Sequence, residues 1–308
     1  PWSRKRRRRA AFSAKMPNPP VVREQYQTVI ARGGYLIRED RSLIEVTGKD
    51  RASWLNNLIT NVVKTLSPGD GNYAFATNIQ GRVVFDLNVL VLDDRLWLDV
   101  DRRWADAAGK HFNKYIITED VTLADITPTV SRLAVAGPMA DDLTDRLGLG
   151  HIKPRASLQH FAGTIGTAAA RVVRHDWLGL LGVEFIVPAA SDGCATLARQ
   201  CDELGMAQID AATADVLRIE AGLPASVDDI DGDVVPPETG QIERGISYHK
   251  GCYLGQEVIE RMRSHGVLAR KLVGMSVSGD ALPATKSNVM VGENVVGRVM
   301  SRCWSEAL

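Results

Sequence analysis

The stretch Lys250-Gly251-Cys252-Tyr253-Leu254-Gly255-Gln256-Glu257 joins a loop signal to a helix signal around one cysteine. Gln256 and Glu257 open a run to Arg263 with helical composition, which places Gly255 at the helix entrance. Glycines near Cys252 and Tyr253 free the backbone for positive φ and for close approach to another group. The helix start that follows presents unpaired N–H groups and positive potential. A thiol held there ionises more readily than a free one, and Lys250 adds a cation two residues away. The competing reading is a tight turn with an inert cysteine, because free cysteine is among the most buried residue types.

The composition, 308 residues with 45% apolar and 24% charged, is that of an ordinary globular chain with room for two domains. No apolar run approaches the roughly eighteen residues a spanning helix needs. Formal net charge is zero, but residues 1–15 hold seven of the 37 Lys and Arg and no acid, leaving 30 bases against 37 acids in 16–308. An acidic body is a poor match to a nucleic-acid backbone, which demands clustered Lys and Arg. Residues 1–20 read as a disordered basic leader ending in Pro17-Asn18-Pro19-Pro20. Without an apolar segment it is no secretory signal, and its Arg-rich, acid-free composition also suits the remnant of a mitochondrial transit segment. Cys194, Cys201, Cys252 and Cys303 show no Cys-x-x-Cys spacing, so no metal site is expected. Such cysteine usage suits a reducing compartment, the cytoplasm or, in a eukaryote, the mitochondrial matrix. Cys194 and Cys201 share a helix face with Leu197, Ala198 and Leu204, a packing pattern.

Working outward, Tyr35 to Ile37 and Leu43 to Val46 read as paired strands about the polar turn Arg38 to Arg41. Asp50 reads as the N-cap of a helix with Trp54, Leu55, Leu58, Ile59 and Val62 on one stripe. A strand over 72–77 precedes a long strand over 82–92, which pairs through Asp93-Asp94 with 96–100. In the long strand Asp86 and Asn88 share a face with Val84, Leu90 and Leu92. A carboxylate there needs a partner or a task, unless that face is simply wet. A helix over 102–115, strands near 121–124 and 133–136, a helix ending at Leu147 and a β-rich stretch over 155–191 follow. Helices over 192–204 and 211–221 are closed by Gly205 and Gly222, the second capped by Asp210. Residues 223–249 are irregular, and an ordered irregular stretch of that length is usually functional. Beyond Gly266, 268–277 and 289–300 read as strands, the second folded into a hairpin at Gly292-Glu293-Asn294.

The octet 250–257 resembles the signature of the YgfZ family, folate-binding relatives of the glycine-cleavage aminomethyltransferase that assist iron–sulfur enzymes. The resemblance covers nearly all of 33–305: Gly48-Lys49-Asp50, Leu66 to Gly71, Thr77-Asn78 with Gly81-Arg82, Ala136-Gly137-Pro138, Leu217 to Gly222, and Ser301 with Ser305. It implies an α+β fold: a folate-binding region over 21–265 with antiparallel sheets and flanking helices, divisible at about 130, then a partial C-terminal β-barrel over 266–308. The barrel is expected to lack at least one strand.

By the same resemblance the cofactor is tetrahydrofolate. A pterin edge offers adjacent N–H donors to a carboxylate, and a folate glutamate tail suits Arg or Lys. Glu184 takes the place of the family's pterin-binding glutamate, Arg218 that of a helix arginine near the folate, and Asp86 that of a general base or electrostatic partner. Lys250, Tyr253 and Gln256 complete the implied cofactor contacts, and Cys252 is the implied reacting group. Trp177 is either a ring wall or core. Where aminomethyltransferases carry a Thr-Gly-Glu-Asp-like turn, this chain has Leu178-Gly179-Leu180-Leu181. The implied function is a folate-binding accessory protein for synthesis or repair of iron–sulfur clusters in client enzymes, tRNA-modifying enzymes included. The alternative is a tetrahydrofolate-dependent aminomethyltransferase acting on a lipoyl-bound aminomethyl group, and a third reading is a binding module with a structural Cys252. His249 and His265 lack an inferable Asp or Asn partner for a cysteine-protease arrangement.

Overall fold

The computed structural model describes residues 20–266, 268–279 and 281–307, so the basic leader lies outside the described residues except for Pro20. Pro20 opens helix α1 (Pro20–Ala31), where its missing N–H is one that a helix start leaves unpaired anyway. Val22, Tyr26 and Val29 recur at helical spacing and are buried. The sequence reading, with Pro17 to Pro20 taken as a linker, places no helix here.

The fold is α+β, with two sheets carrying it. The sequence pattern pairs β1 (Gly34–Ile37) with β2 (Arg41–Thr47), and the structure separates them. β1 lies against β7 (Val130–Ala136) in one sheet, and β2 against β5 (Leu96–Asp101) in the other. The chain crosses between sheets at 38–40, where Arg38 N donates to Arg132 O and the Arg38 guanidinium grips the Asp40 carboxylate through two bonds of 2.8 Å. Each strand instead takes a longer partner, β1 pairing with β7 over four residues and β2 with β5 over six.

The five-stranded sheet has the order β3 (Gly71–Thr77), β4 (Val83–Val91), β5, β2, β6 (Thr122–Asp125). The six-stranded sheet has the order β11 (Ala207–Gln208), β1, β7, β10 (Gly182–Pro188), β9 (Ala168–Arg174), β8 (His160–Ile165). Within these sheets all pairings are antiparallel except β1 with β11. Period-two alternation assigns each strand two faces. Phe85, Leu87 and Val89 of β4 pack with Trp54 of α2 (Arg51–Asn56) and with Ala108 and Phe112 of α3 (Ala105–Asn113). Val135, Val172 and Phe185 of the other sheet pack with Leu143 of α4 (Ala140–Arg146) and with Leu197 and Cys201 of α5 (Gly193–Glu203). The opposite faces meet each other: Tyr73, Phe75 and Leu90 share a third core with Val173 and Ile186. The face of Asp86 and Asn88 is therefore not a wet one, and both residues are buried.

Helix α6 (Ala211–Glu220) is capped as expected, Asp210 Oδ1 accepting from Thr213 N at 2.7 Å. Asp50 sits at the N-cap of α2 as expected, but its side chain caps no helical N–H: its Oδ2 accepts from Asp120 N, and α2 stops at Asn56 instead of continuing to Val62. The stop has a physical cause. Ile59 bridges Ala76 beside β3, Thr60 N donates to Phe75 O, and Lys250 draws off the carbonyls of Asn56, Ile59 and Asn61. Sheet-edge pairing and a cation outcompete the helical bonds that the apolar stripe alone would favour.

After α7 (Ile242–Gly245) and α8 (Gln256–His265), residues 268–277 are irregular instead of a strand, with Val273, Met275 and Val277 exposed. The hairpin β12 (Asn288–Val291) with β13 (Asn294–Arg298) forms as read from the sequence. Among the described residues this region closes no barrel. No helix of the described residues is long and apolar enough to cross a membrane.

The 250–257 loop is seated by a glycine contact. Gly255 has φ +80°, and a Cβ there would lie 2.5 Å from Asn78 O and 2.9 Å from Gly81 Cα. Gly222 has a similar φ of +71° but open space about it. Positive φ alone costs a non-glycine residue about 1–2 kcal/mol. Gly222→Ala should therefore lose about that much stability, and Gly255→Ala distinctly more, read as urea-unfolding midpoints. Equal losses would mean that the loop is not seated by this contact.

Candidate functional site

Cys252 is exposed, whereas Cys201 is buried and Cys194 and Cys303 are half-buried. Burial pushes the Cys201 thiol up to about 12 and the Cys303 thiol up to about 11. Cys252 shares an open hollow of about 540 Å³ with Asn56, Asn57, Lys64, Gly251 and Tyr253. The hollow is built by α2 and the 250–257 loop, and Lys250 is the tie between them. Its Nζ donates to Asn56 O at 2.5 Å, Ile59 O at 2.6 Å and Asn61 O at 2.8 Å. Three donors meet three carbonyls, the full capacity of an ammonium. Burial pulls that ammonium down to about 7, while the carbonyl bonds favour its charged form.

The neighbouring residues also act as scaffold. Leu254 N donates to Asn57 O, Thr77 Oγ1 donates to Leu254 O, and Gln256 Oε1 accepts from Tyr253 N at 3.3 Å. The Tyr253 ring is buried in the inter-sheet core, 5.0 Å from Lys250 Nζ, and its hydroxyl has no hydrogen-bond partner. Gly255 has the positive φ expected of a hinge; Gly251 does not, and nothing lies within 4 Å of the Cβ it would carry. Lys250, Tyr253 and Gln256 thus surround the base of the Cys252 loop.

Asp86 and Glu184 lie elsewhere, between the sheets. Asp86 accepts from Tyr73 Oη at 2.8 Å and from Ser226 Oγ at 2.5 Å. Glu184 Oε1 takes Arg132 Nε at 2.7 Å and Nη2 at 2.6 Å, and Oε2 faces His175 Nδ1 at 3.3 Å. The same guanidinium crosses to the other sheet, Nη1 donating to Asp99 Oδ1 at 2.7 Å. Asp99 is also held by Arg41 and by Asn88 Nδ2 at 2.8 Å. Burial works to raise both carboxyls, but Arg132 outweighs it in each case, joined by Arg41 at Asp99 and by the His175 hydrogen bond at Glu184. Glu184 is held down to about 2, and Asp99 well below the ordinary carboxylate range.

Arg218 is a stitch: it bonds Asp215, Asp229, the Leu223 carbonyl and Ser301 Oγ, tying α6 to the C-terminal segment. Trp177 lies under the Arg38 guanidinium at 4.7 Å and packs beside Leu178 and Leu217. The structure gathers Cys252, Lys250, Tyr253 and Gln256 in one place, and Glu184 with Asp99 and Arg132 in another. Neither the Cys252 hollow nor the small hollow at Glu184 is lined by Asp86 or Arg218. Sequence reasoning passed over Arg132, Asp99 and Arg41. The signal was present in β7, where Arg132 interrupts Val-Ser-Arg-Leu-Ala-Val-Ala as Asp86 interrupts β4.

This arrangement of two facing sheets has known counterparts. The chain belongs to the GCVT N-terminal domain family. The family match spans residues 12–247 and ends before Lys250. The aminomethyltransferase of Thermoanaerobacter pseudethanolicus is 28% identical over 281 residues, covering 86% of this chain and 73% of that one. That of Rubrobacter xylanophilus is 26% identical over 289 residues, covering 93% and 76%. The crystal structure of glycine cleavage system aminomethyltransferase T from Bartonella henselae superposes with a TM-score of 0.65 at 21% identity, over 80% of this chain and 67% of that one. The fold is therefore aminomethyltransferase-like.

A folate, which membership of this family implies, can be tested against the residues present. The hollow lined by Asn88, Asp99, Arg132, Leu158, His175 and Glu184 encloses about 10 Å³, room for about one water molecule. Ligand pockets begin at roughly 300 Å³. In this arrangement the Glu184 hollow does not fit a pterin.

Two outcomes follow from these bonds. Both depressed carboxyls contribute stability that is complete above the ordinary carboxylate range and is lost as pH falls toward their folded values. The thermal midpoint should therefore drop between about pH 5 and pH 2, with a shallower drop in Glu184→Gln; identical profiles would remove Glu184 from the acid response. Lys250→Met should cost about 1–3 kcal/mol through three abandoned carbonyls and should raise hydrogen exchange in 56–62, an effect that a mere surface lysine would not produce.

Proposed function

We propose that this chain is an accessory protein supporting synthesis or repair of iron–sulfur clusters in client enzymes, tRNA-modifying enzymes among them, with Cys252 as its reacting group. The observation that carries this reading is the exposed thiol in an open hollow that Lys64 also lines, on a loop tied by Lys250 to the carbonyls of Asn56, Ile59 and Asn61. A reactive cysteine needs access, and this loop supplies it in a hollow that Lys64 also lines, while the other three thiols are withdrawn into the fold. The resemblance of residues 250–257 to the YgfZ signature supports the same assignment; the match to the N-terminal domain ends before them, at residue 247.

The second reading, an aminomethyltransferase moving a one-carbon unit from a lipoyl-bound aminomethyl group to tetrahydrofolate, is favoured by the names of the relatives. It asks Asp86, Glu184 and Arg218 to face a ligand. In this chain all three are committed to internal bonds, and the Leu178-Gly179-Leu180-Leu181 turn lacks acidic groups. Tetrahydrofolate, the ligand that family membership implies, would have to find Glu184 released from Arg132.

In cells lacking the endogenous factor, wild type should restore a cluster-dependent tRNA-thiolating enzyme and Cys252→Ala should not. Equal rescue by the variant would defeat the thiol's role. In the folded protein iodoacetamide should label Cys252 at least about tenfold faster than Cys194, Cys201 or Cys303. Robust methylenetetrahydrofolate formation with a lipoyl carrier protein would establish the second reading instead.

A further inference from the structure

Arg132 places one cation on a carboxylate of each sheet. Its side chain is 4% exposed, and those of Glu184 and Asp99 are 3% and 4%. Nε and Nη2 converge on Glu184 Oε1, and Nη1 turns to Asp99 Oδ1. A guanidinium offers a carboxylate the same planar pair of N–H donors as the edge of a 2-aminopyrimidine ring, the recognition face of a pterin. Leu158, held at φ +66° where a leucine is disfavoured, lines the same hollow.

We infer that Arg132 is a resident ligand of Glu184, filling from within the place where a 2-aminopyrimidine edge would bind and so excluding it. The charges agree with this assignment. Asp99 and Glu184 are balanced by Arg41 and Arg132, with His175 and Asn88 supplying further hydrogen bonds, so an entering neutral heterocycle would have to break a buried ion pair without replacing its charge. Arg132 thereby becomes the residue that sets ligand specificity at this site, and removing it should leave a hollow matched to small guanidinium compounds.

The test uses the full chain and two probes. Tetrahydrofolate is titrated against tryptophan fluorescence in wild type and in Glu184→Gln, which leaves the bond between Arg132 and Asp99 in place. The expected result is no binding, or dissociation constants within about threefold of each other; a loss of tenfold or more in the variant would overturn the inference, because Glu184 would then be holding the folate. Ethylguanidinium is next added to Arg132→Ala. The thermal midpoint of that variant should rise by about several degrees at saturating probe, with no rise in wild type or in the double variant Arg132→Ala with Glu184→Gln. The absence of any selective rise would overturn the resident-ligand assignment. Should Arg132→Ala fail to fold unaided, its refolding yield takes the place of the thermal midpoint: a higher yield with ethylguanidinium than without it is expected, and equal yields would overturn the assignment. Neither readout involves Cys252, so loss of this inference and loss of the accessory role are separate outcomes.

Discussion

A single guanidinium buried between carboxylates of two sheets is the contact on which the architecture turns. Removing Arg132, Glu184 and Asp99 from water is expensive, and the attraction among them offsets that cost only where every donor and acceptor is matched. Matching is nearly complete here: Arg132 reaches both acids, Arg41 grips Asp99 through two nitrogens and Asn88 adds a third donor. Hydrophobic contacts between facing sheets tolerate sliding. A directional ion pair does not, so the network fixes which part of β5 lies over which part of β7 and β10. The surrounding apolar residues, Leu90, Val173 and Ile186, supply burial but little positional information.

From that fixed interface the rest of the chain hangs in layers. Ser226 brings the irregular 223–233 loop to Asp86, while Arg103 and Arg218 hold the same loop from either side. Gly245 O accepts from Thr60 Oγ1, and Thr60 in turn joins β3, so α7 is anchored to the five-stranded sheet. The loop carrying Cys252 is the last layer. It is positioned by backbone groups of α2 and of the 78–81 turn, which are themselves pinned to the sheet. A side chain on a loop that is held by sheet-anchored elements combines access with a defined position.

The two polar centres have opposite characters. The inter-sheet centre has its charges balanced and its space filled. The Cys252 hollow is open, and Lys64 lines it together with the thiol residue. Chemistry with an outside partner is easier at the second than at the first, because nothing already bound has to be displaced.

Residues with strong local signals were legible from the sequence alone. The β4 and β5 hairpin, the helices closed by Gly205 and Gly222, the hairpin at Gly292 and the α8 start after Gly255 all follow from turn chemistry, capping and periodicity, which act over a few residues. The octet 250–257 also marked its own loop. What the sequence could not express were competitions settled at a distance. Whether β1 pairs with β2 was decided by β7 and β5 offering longer edges. Where α2 ends was decided by a lysine about two hundred residues later. Whether Glu184 faces a ligand was decided by Arg132, fifty-two positions away. Local preferences of about 1 kcal/mol yield to buried ion pairs and sheet pairing whose partners are adjacent only after folding.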